Sequence, residues 1–291
     1  MREYNAAEVI LNNLSELSER GAVNDEQRDI SISQLASLLL SEGSPDTAYT
    51  AFAEKYGDSA TAADKISFCR KICEASKING FWHIPPLFSA ELPVSAGSHE
   101  KTAFVRNRYN DMAFEKISSI LPHSKAVYFS SFEEAAEAVS GGECEFTVIP
   151  VENTSDGKMF GFYSLMDRYE LKICASCTLE SEDSSKTISY ALCSRNYRVR
   201  ELEKASAKKD KIFEFCITHG SGTAPYDIFS AAALCGAGIH RISSLPLPYN
   251  DLMTRFFYSF SITEKTDFAS FLFYLKSEYE EYTPIGIYFE I

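Results

Sequence analysis

Residues 148 to 159 read VIPVENTSDGKM, a β-branched run that stops on Pro150 and gives way to Glu152, Asn153, Thr154, Ser155 and then Gly157. A carboxylate, an amide and two hydroxyls in succession can accept, donate and stabilise developing charge. Those are the demands of holding a polar ligand or helping a hydroxyl depart. The same residues can instead close an Asx-type turn on their own backbone. Upstream, Arg106 and Arg108 in VRNRYN are able to grip a carboxylate bidentately or to stand solvated.

The elements that would position these residues follow from periodicity. From Lys101, TAFV reads as a strand, DMAFEKISSIL as a helix, KAVYFS as a strand and SFEEAAEAVSGG as a helix. That last helix has Ser131 and Glu134 spaced as a capping box and Gly141 as its stop. EFTVIPV is the next strand, then the quoted turn, a helical FYSLMDRY and a strand ELKICASC. Such alternation predicts an α/β layer with a largely parallel sheet, and places the turn beyond the carboxyl end of a strand, where open α/β sheets hold ligands. After a charged hinge, RVRELEKASAKKDK, the order strand-helix-strand-strand-helix-strand predicts a ferredoxin-like unit over 209–291. Residues 1–80 read helical. Ala7, Val9, Ile10, Leu14 and Leu17 form one stripe, Ile30, Ile32, Leu35, Leu38 and Leu39 a second, and Ile66, Phe68, Ile72 and Ala75 a third. Ser44-Pro45-Asp46 marks a helix start. Residues 81–100, with three prolines in FWHIPPLFSAELPVSAGSHE, read as a linker.

Composition sets outer limits. The 291 residues are 45% hydrophobic and 13% aromatic, which is globular and without a disorder signature. No apolar run is long enough to span a bilayer, and MREYNAAEVI carries no secretory pattern, so a cytoplasmic place is expected. The eight cysteines are scattered in apolar segments and read as buried free thiols, with neither a metal site nor a cofactor expected. A net charge of −13 argues against nucleic-acid and anionic membrane partners. It also means that a small acidic ligand would need a few placed Arg or Lys.

SFEEAAEAVSGGECEFTVIPVENTSDGKMFGFYSLMDRYELKI resembles the prephenate dehydratase family, in which a strand ends Pro-Ile-Glu-Asn-Ser before a Gly and a helix. Pro150, Val151, Glu152, Asn153, Thr154 and Gly157 stand there in this chain. LCGAGIHRISSLPL and the terminal IGIYFE are similar to strands of the ACT domain that follows the dehydratase in that family. The resemblance spans 101–291. Together with the helical N-terminal region (1–80) read above, it implies an α+β protein with a shortened α/β periplasmic-binding-like dehydratase lobe (101–197) and a ferredoxin-like βαββαβ ACT domain (209–291). The implied reaction is a lyase step in phenylalanine biosynthesis, conversion of prephenate to phenylpyruvate, water and CO2. Glu152, Asn153, Thr154 and Thr187 would be its catalytic residues, and Arg106, Arg108, Ser155 and Gly157 would bind substrate.

The chain departs from the family pattern in three places. The family's first strand leads into a Gly-Pro-x-Gly-Thr loop; here Arg106-Asn107-Arg108-Tyr109-Asn110 follows. The family's Thr-Arg-Phe motif returns from a second lobe; here ELKICASCTLESEDSSKTISYALCSR turns back at once, and Thr187-Ile188-Ser189 takes the place of the motif without its cation. Thr254-Arg255-Phe256 spells the motif downstream, but using it would break the ferredoxin-like order. The ACT resemblance implies an aromatic amino-acid site at Thr223, Ala224, Pro225 and Tyr226 with Ser243, Ser244 and Pro246, allosteric regulation, and a homodimer. Its Glu-Ser-Arg-Pro strand has lost the acid and the base. A chorismate-mutase-like origin for residues 1–80 lacks the Arg and Lys cluster that a dianion needs. Three functions are therefore carried forward: a family member with impaired or lost dehydratase activity kept for binding or regulation; an active dehydratase whose cleft is completed by the N-terminal helices or a partner subunit; and a non-catalytic amino-acid sensor.

Overall fold

The computed structural model describes residues 10, 25–57, 59–78, 101–153, 157–180, 186–197, 202–220, 226–247, 250–280 and 282–291. The first elements given bounds among the described residues are α1 (Asp25–Glu42), α2 (Pro45–Tyr56) and α3 (Ala62–Ala75). The next stretch runs β1 (Lys101–Val105), α4 (Arg108–Ser118), β2 (Lys125–Phe129), α5 (Phe132–Ser140), β3 (Phe146–Asn153) and β4 (Gly157–Lys158). It continues through α6 (Phe160–Tyr169), β5 (Lys172–Glu180), β6 (Thr187–Ser194) and a single turn α7 (Glu203–Ser206). The last stretch is β7 (Lys211–Gly220), α8 (Tyr226–Leu234), β8 (Gly238–Leu247), β9 (Asn250–Ile262), α9 (Phe268–Glu278) and β10 (Thr283–Tyr288).

The chain divides into two compact units, each drawn from several segments. The first gathers residues 1–87, 222–239 and 264–282, and apart from Gly238 and Ile239 at the start of β8 its described elements are helices. Ser44 accepts from the Thr47 N–H with Pro45 inside the first turn, as the sequence predicts. Thr61 and Asp64 form a full capping box on α3. Ile32, Leu35, Ala36 and Leu39 are the buried stripe of α1, whereas Ile30 is 51% exposed. Two residues advance a helix by about 200° at 3.6 residues per turn, so Ile30 and Ile32 cannot share a face. Ala7, Val9, Leu14 and Leu17 of the first predicted stripe lie outside the described residues. Phe52 stacks on Phe68 with centroids 4.2 Å apart, and Tyr49 meets Phe273 edge-on at 5.8 Å. Around these rings, Glu278 accepts from the Tyr49 hydroxyl at 2.7 Å and pairs with Lys65. Arg70 bonds Asp267, the N-cap of α9, at 2.8 Å.

The second unit gathers residues 88–221, 240–263 and 283–291. Its ten strands form one sheet in the order β2-β1-β3-β6-β5-β10-β7-β9-β8, with β4 paired to β3. β1, β2 and β3 are parallel, β6 runs antiparallel to both β3 and β5, and β10 joins β5 in parallel. The last four strands stand in the order β10-β7-β9-β8, the arrangement of a βαββαβ unit. The dehydratase-like and βαββαβ segments thus share a single sheet. At the end of α5 the stop differs in detail from the sequence expectation. Gly141 stays right-handed, and Gly142 takes the left-handed conformation (φ 77°).

Two apolar layers cover the sheet. One packs α5 and α6 on Ile149, Val151, Ile173, Ala191, Cys193, Ile212, Cys216, Phe257 and Tyr288. The other packs α4 on Phe146, Val148, Cys174, Ala175, Cys177, Leu179, Tyr190 and Leu192. All eight cysteines are buried free thiols, as their apolar settings predict. Among the described residues no helix is long and apolar enough to cross a membrane.

Candidate functional site

Strand alternation would put Glu152 on the α4 face, because Phe146 and Val148, an even number of residues before it, pack there. The register says otherwise. Pro150 stands opposite Tyr190 and Glu152 opposite Ser189, leaving Val151 as a bulge. A bulge resets the alternation, so Glu152 follows Val151 onto the α6 face. A second bulge at Cys174, between the pairs Ile173–Cys193 and Ala175–Leu192, does the same for β5. It brings Ser176 and Thr178 to that face opposite Ala191 and Ser189. Thr178 and Ser189 hydroxyls lie 3.2 Å apart.

The polar row continues across the sheet. Glu214 on β7 faces Ser259 on β9 and Gly286 on β10. Glu214 is 2% exposed, and accepts from the Tyr163 hydroxyl at 3.0 Å and from the Tyr288 hydroxyl at 2.7 Å. Burial, and then the carboxylate, raise both phenol pKa values well above the ordinary tyrosine value. A buried carboxylate without such donors would cost several kcal/mol.

The closing contact comes from the far end of the sheet. Arg241 on β8 ion-pairs with Glu152 on β3, although β8 lies six strands along from β3 in the order β3-β6-β5-β10-β7-β9-β8. A flat sheet would separate them by about 29 Å at ~4.8 Å per strand, far beyond the reach of the two side chains. The sheet therefore curls around α6. The Tyr163 ring lies 4.0 Å from Phe257 of β9, and Asp167 of α6 bonds Arg255 of β9 at 2.8 Å. Within the curl lies a cleft lined by Val151, Glu152, Ser176, Thr178, Ser189, Glu214, Arg241, Ser259 and Tyr288, with His240 and Glu290 at its edge. It has about 40 Å³ for water-sized occupants, room for about three waters. His240 stands 3.9 Å from Glu290.

The expected site residues are placed as follows. Glu152 lines the cleft, and Asn153 pairs with Gly157 at the hairpin beside it. Gly157 has φ 71°, a conformation that L side chains rarely adopt. Thr154 and Ser155 lie outside the described residues. Thr187 opens β6 opposite Glu180, on the same face as Ser189, two residues short of the cleft lining. Arg106 and Arg108 are exposed and outside the cleft; Arg106 lies over the Tyr128 ring at 5.4 Å. Between them, Asn107 caps α4 through the Asn110 N–H, and Asn110 donates to the Val105 carbonyl at 2.6 Å. Side-chain amides thus close the β1–α4 turn. Tyr226 opens α8 and is 73% exposed, while Thr223, Ala224 and Pro225 fall outside the described residues. Ser243, Ser244 and Pro246 lie on β8, the last strand of the sheet. The Ser243 hydroxyl is buried with no hydrogen-bond partner among the described residues.

Sequence reasoning missed Arg241, Glu214, Tyr288 and the serines of β5 and β9. The one available signal was His240-Arg241, two basic residues together at the start of a strand in a strongly acidic chain. No group of three His, Cys, Asp or Glu suited to a metal occurs among the described residues.

The prephenate dehydratase family model matches residues 106–196. Among solved structures, a prephenate dehydratase from Streptococcus mutans aligns with TM-score 0.54 and 18% identity, covering 65% of this chain and 98% of that one. GqqA, described as a novel type of quorum quenching acylase, aligns with TM-score 0.51 and 19% identity over 65% and 95%. The Arthrobacter aurescens prephenate dehydratase in complex with L-Phe gives TM-score 0.49 and 11% identity over 65% and 89%. At such identities the likeness is one of fold. No curated protein matches the sequence.

Proposed function

We propose, from the match of residues 106–196 to the prephenate dehydratase family model, that this chain is a binding or regulatory member of the family whose dehydratase step is impaired or lost. The family match over residues 106–196 supports a role in phenylalanine biosynthesis. The observation that carries the reading is the β5–β6 hairpin. Glu180 pairs directly with Thr187, so only the six residues 181–186 connect the two strands. A second lobe with its own core needs at least ~50 residues.

By the resemblance, β6 should bring a Thr-Arg-Phe motif back from that lobe. Here Ile188 stands at the cation's position and packs into the α4-side core. Thr254-Arg255-Phe256 is no substitute, since Arg255 is engaged by Asp167. Loss of one charged hydrogen bond to substrate costs on the order of 2–3 kcal/mol, a rate loss of tens to hundreds of fold. Glu152, Asn153, Thr154, Ser155, Gly157 and Thr187 would remain as a ligand-binding corner. The test is incubation of purified protein with prephenate and detection of phenylpyruvate at alkaline pH. The expected rate is that of the uncatalysed reaction. Clear turnover abolished by Thr187→Ala would establish an active dehydratase instead, with its cleft completed by the N-terminal helices or by a partner subunit.

A second reading is an ACT-like segment that senses an aromatic amino acid in a cytoplasmic homo-oligomer; the strand order β10-β7-β9-β8 supports its βαββαβ fold. Its site would be Thr223, Ala224, Pro225 and Tyr226 with Ser243, Ser244 and Pro246. A thermal-shift series with phenylalanine, tyrosine and tryptophan tests it. A ligand at 100 times its dissociation constant adds about 2.7 kcal/mol of stability, and no shift with any of the three removes sensing.

A further inference from the structure

The cleft as it stands has room for about three waters, whereas sites for organic ligands measure ~300–1,000 Å³. One strand closes its rim. From Ser243 to Leu247 the residues of β8 alternate between half-buried and exposed, and Leu245 packs on the core beneath α5 and α6. His240, Arg241 and Ile242 do not alternate: all three are exposed. They lie on the last strand of the sheet. Among the described residues, two charged contacts tie this stretch down, the Arg241–Glu152 ion pair and, more loosely, His240 at 3.9 Å from Glu290. Ser243, where the alternation begins, has a buried hydroxyl with no hydrogen-bond partner among the described residues, a cost that lifting into water would remove.

We infer that residues 240–242 form a strap over the β3 corner, hinged near Ser243, and that the Arg241–Glu152 ion pair is the latch that holds it shut. The inference concerns regulation of that corner and rests on reading it as a ligand-binding site. In the latched state the Glu152 carboxylate is engaged by the chain's own cation, and the cleft excludes anything larger than a few waters. A ligand enters only after the strap lifts. Both partners are partly exposed, 45% for Arg241 and 25% for Glu152, so the pair is weak and screened by salt. A latch of that strength shifts the ratio of closed to open by up to about fivefold. Segments with few buried contacts are the ones that open first.

All eight native cysteines are buried, so a thiol added inside the cleft reports access to it. Ser259 lines the cleft and is 2% exposed, and Ser259→Cys is a near-isosteric exchange. Its alkylation by iodoacetamide, a neutral probe, is followed by mass spectrometry on the full chain with no ligand present. Arg241→Met and Glu152→Gln, each combined with Ser259→Cys, should raise the rate about two- to fivefold, and all three together should be no faster. Loss of Arg241 disfavours the thiolate and loss of the Glu152 charge favours it, so a rise in both reports opening rather than local charge. Raising salt from about 0.02 to about 0.5 M should speed the parent and leave both variants unchanged. Lys276→Met, which breaks a surface ion pair in the helical unit, should change nothing. Should Ser259→Cys fail to fold, amide exchange over residues 240–247 with Ser259 intact reads the same opening: faster in both variants if the latch exists, unchanged if it does not. Alkylation rates that stay at the parent value, or that move in opposite directions in the two variants, overturn the latch. Because no ligand is used, that result leaves the ligand-binding reading of the corner to its own tests.

Discussion

Gly286 of β10 passes so close to Ile173 of β5 that a β-carbon on the glycine would sit 2.5 Å from the Ile173 carbonyl oxygen and 2.9 Å from its backbone nitrogen. This is the parallel seam between the dehydratase-like strands and the βαββαβ strands. Any side chain there must push the backbones apart. Gly286→Ala should cost about 1–3 kcal/mol, as overpacking does, with Gly286→Val costing more. Chemical denaturation measures the loss, and hydrogen exchange should show opening concentrated in β5 and β10. Unchanged stability of Gly286→Val would mean that the seam is not closely packed in solution.

The Tyr163–Glu214–Tyr288 cluster allows a second test. Removing either phenol hydroxyl leaves a buried carboxylate a donor short, so Tyr163→Phe and Tyr288→Phe should each cost about 1–3 kcal/mol. Because both bond one acceptor, the double variant should depart from additivity. Additive, near-zero effects would show the carboxylate to be solvated.

The same phenols set an alkaline limit. Their folded-state pKa values are raised by burial and by Glu214, so the folded protein keeps protons that the unfolded chain releases. The stability they contribute is full below the unfolded value of about 10 and is lost as pH rises above it. A stability-versus-pH curve should fall there, and the fall should shrink in Tyr288→Phe.

At acid pH the sign reverses for His219, which is buried and hydrogen-bonded to the Tyr258 hydroxyl at 3.0 Å. Burial lowers its pKa, so the unfolded chain takes up the proton first. Its contribution is full above the unfolded value of about 6.5, and is lost as pH falls below that value and on through the folded-state pKa. Replacing His219 with Gln should flatten that part of the curve. An unaltered slope would place the titration elsewhere.

In the helical unit, Phe52 is fully buried and stacked on Phe68. Phe52→Ala should cost about 3–5 kcal/mol, the usual loss for a large aromatic in a close-packed core. Melting followed by circular dichroism measures it, and a loss below about 1 kcal/mol would mean that this core is loosely packed.

Local pattern was enough to locate the elements. The alternation of TAFV, KAVYFS and EFTVIPV with helical stripes located β1, β2 and β3 beside α4 and α5, and Ser44-Pro45 and Ser131 marked helix starts correctly. The rapid turn after ELKICASC anticipated the β5–β6 hairpin, and the strand-helix order after residue 209 anticipated the βαββαβ topology. All of these are short-range: a cap, a period or a loop length is written in neighbouring residues.

The cleft was settled by pairing at long range. Alternation alone puts Glu152 on the wrong face, and only the register against β6 shows that Val151 is a bulge. Arg241 meets Glu152 because the sheet curls around α6, which depends on a seam that only Gly286 tolerates at such proximity. The sequence by itself determined the elements and singled out the Glu152–Asn153 corner of β3, but not Arg241, Glu214 or Tyr288. The tertiary structure decided which of them face one another, because strand register and sheet curvature are properties of partners distant in the chain.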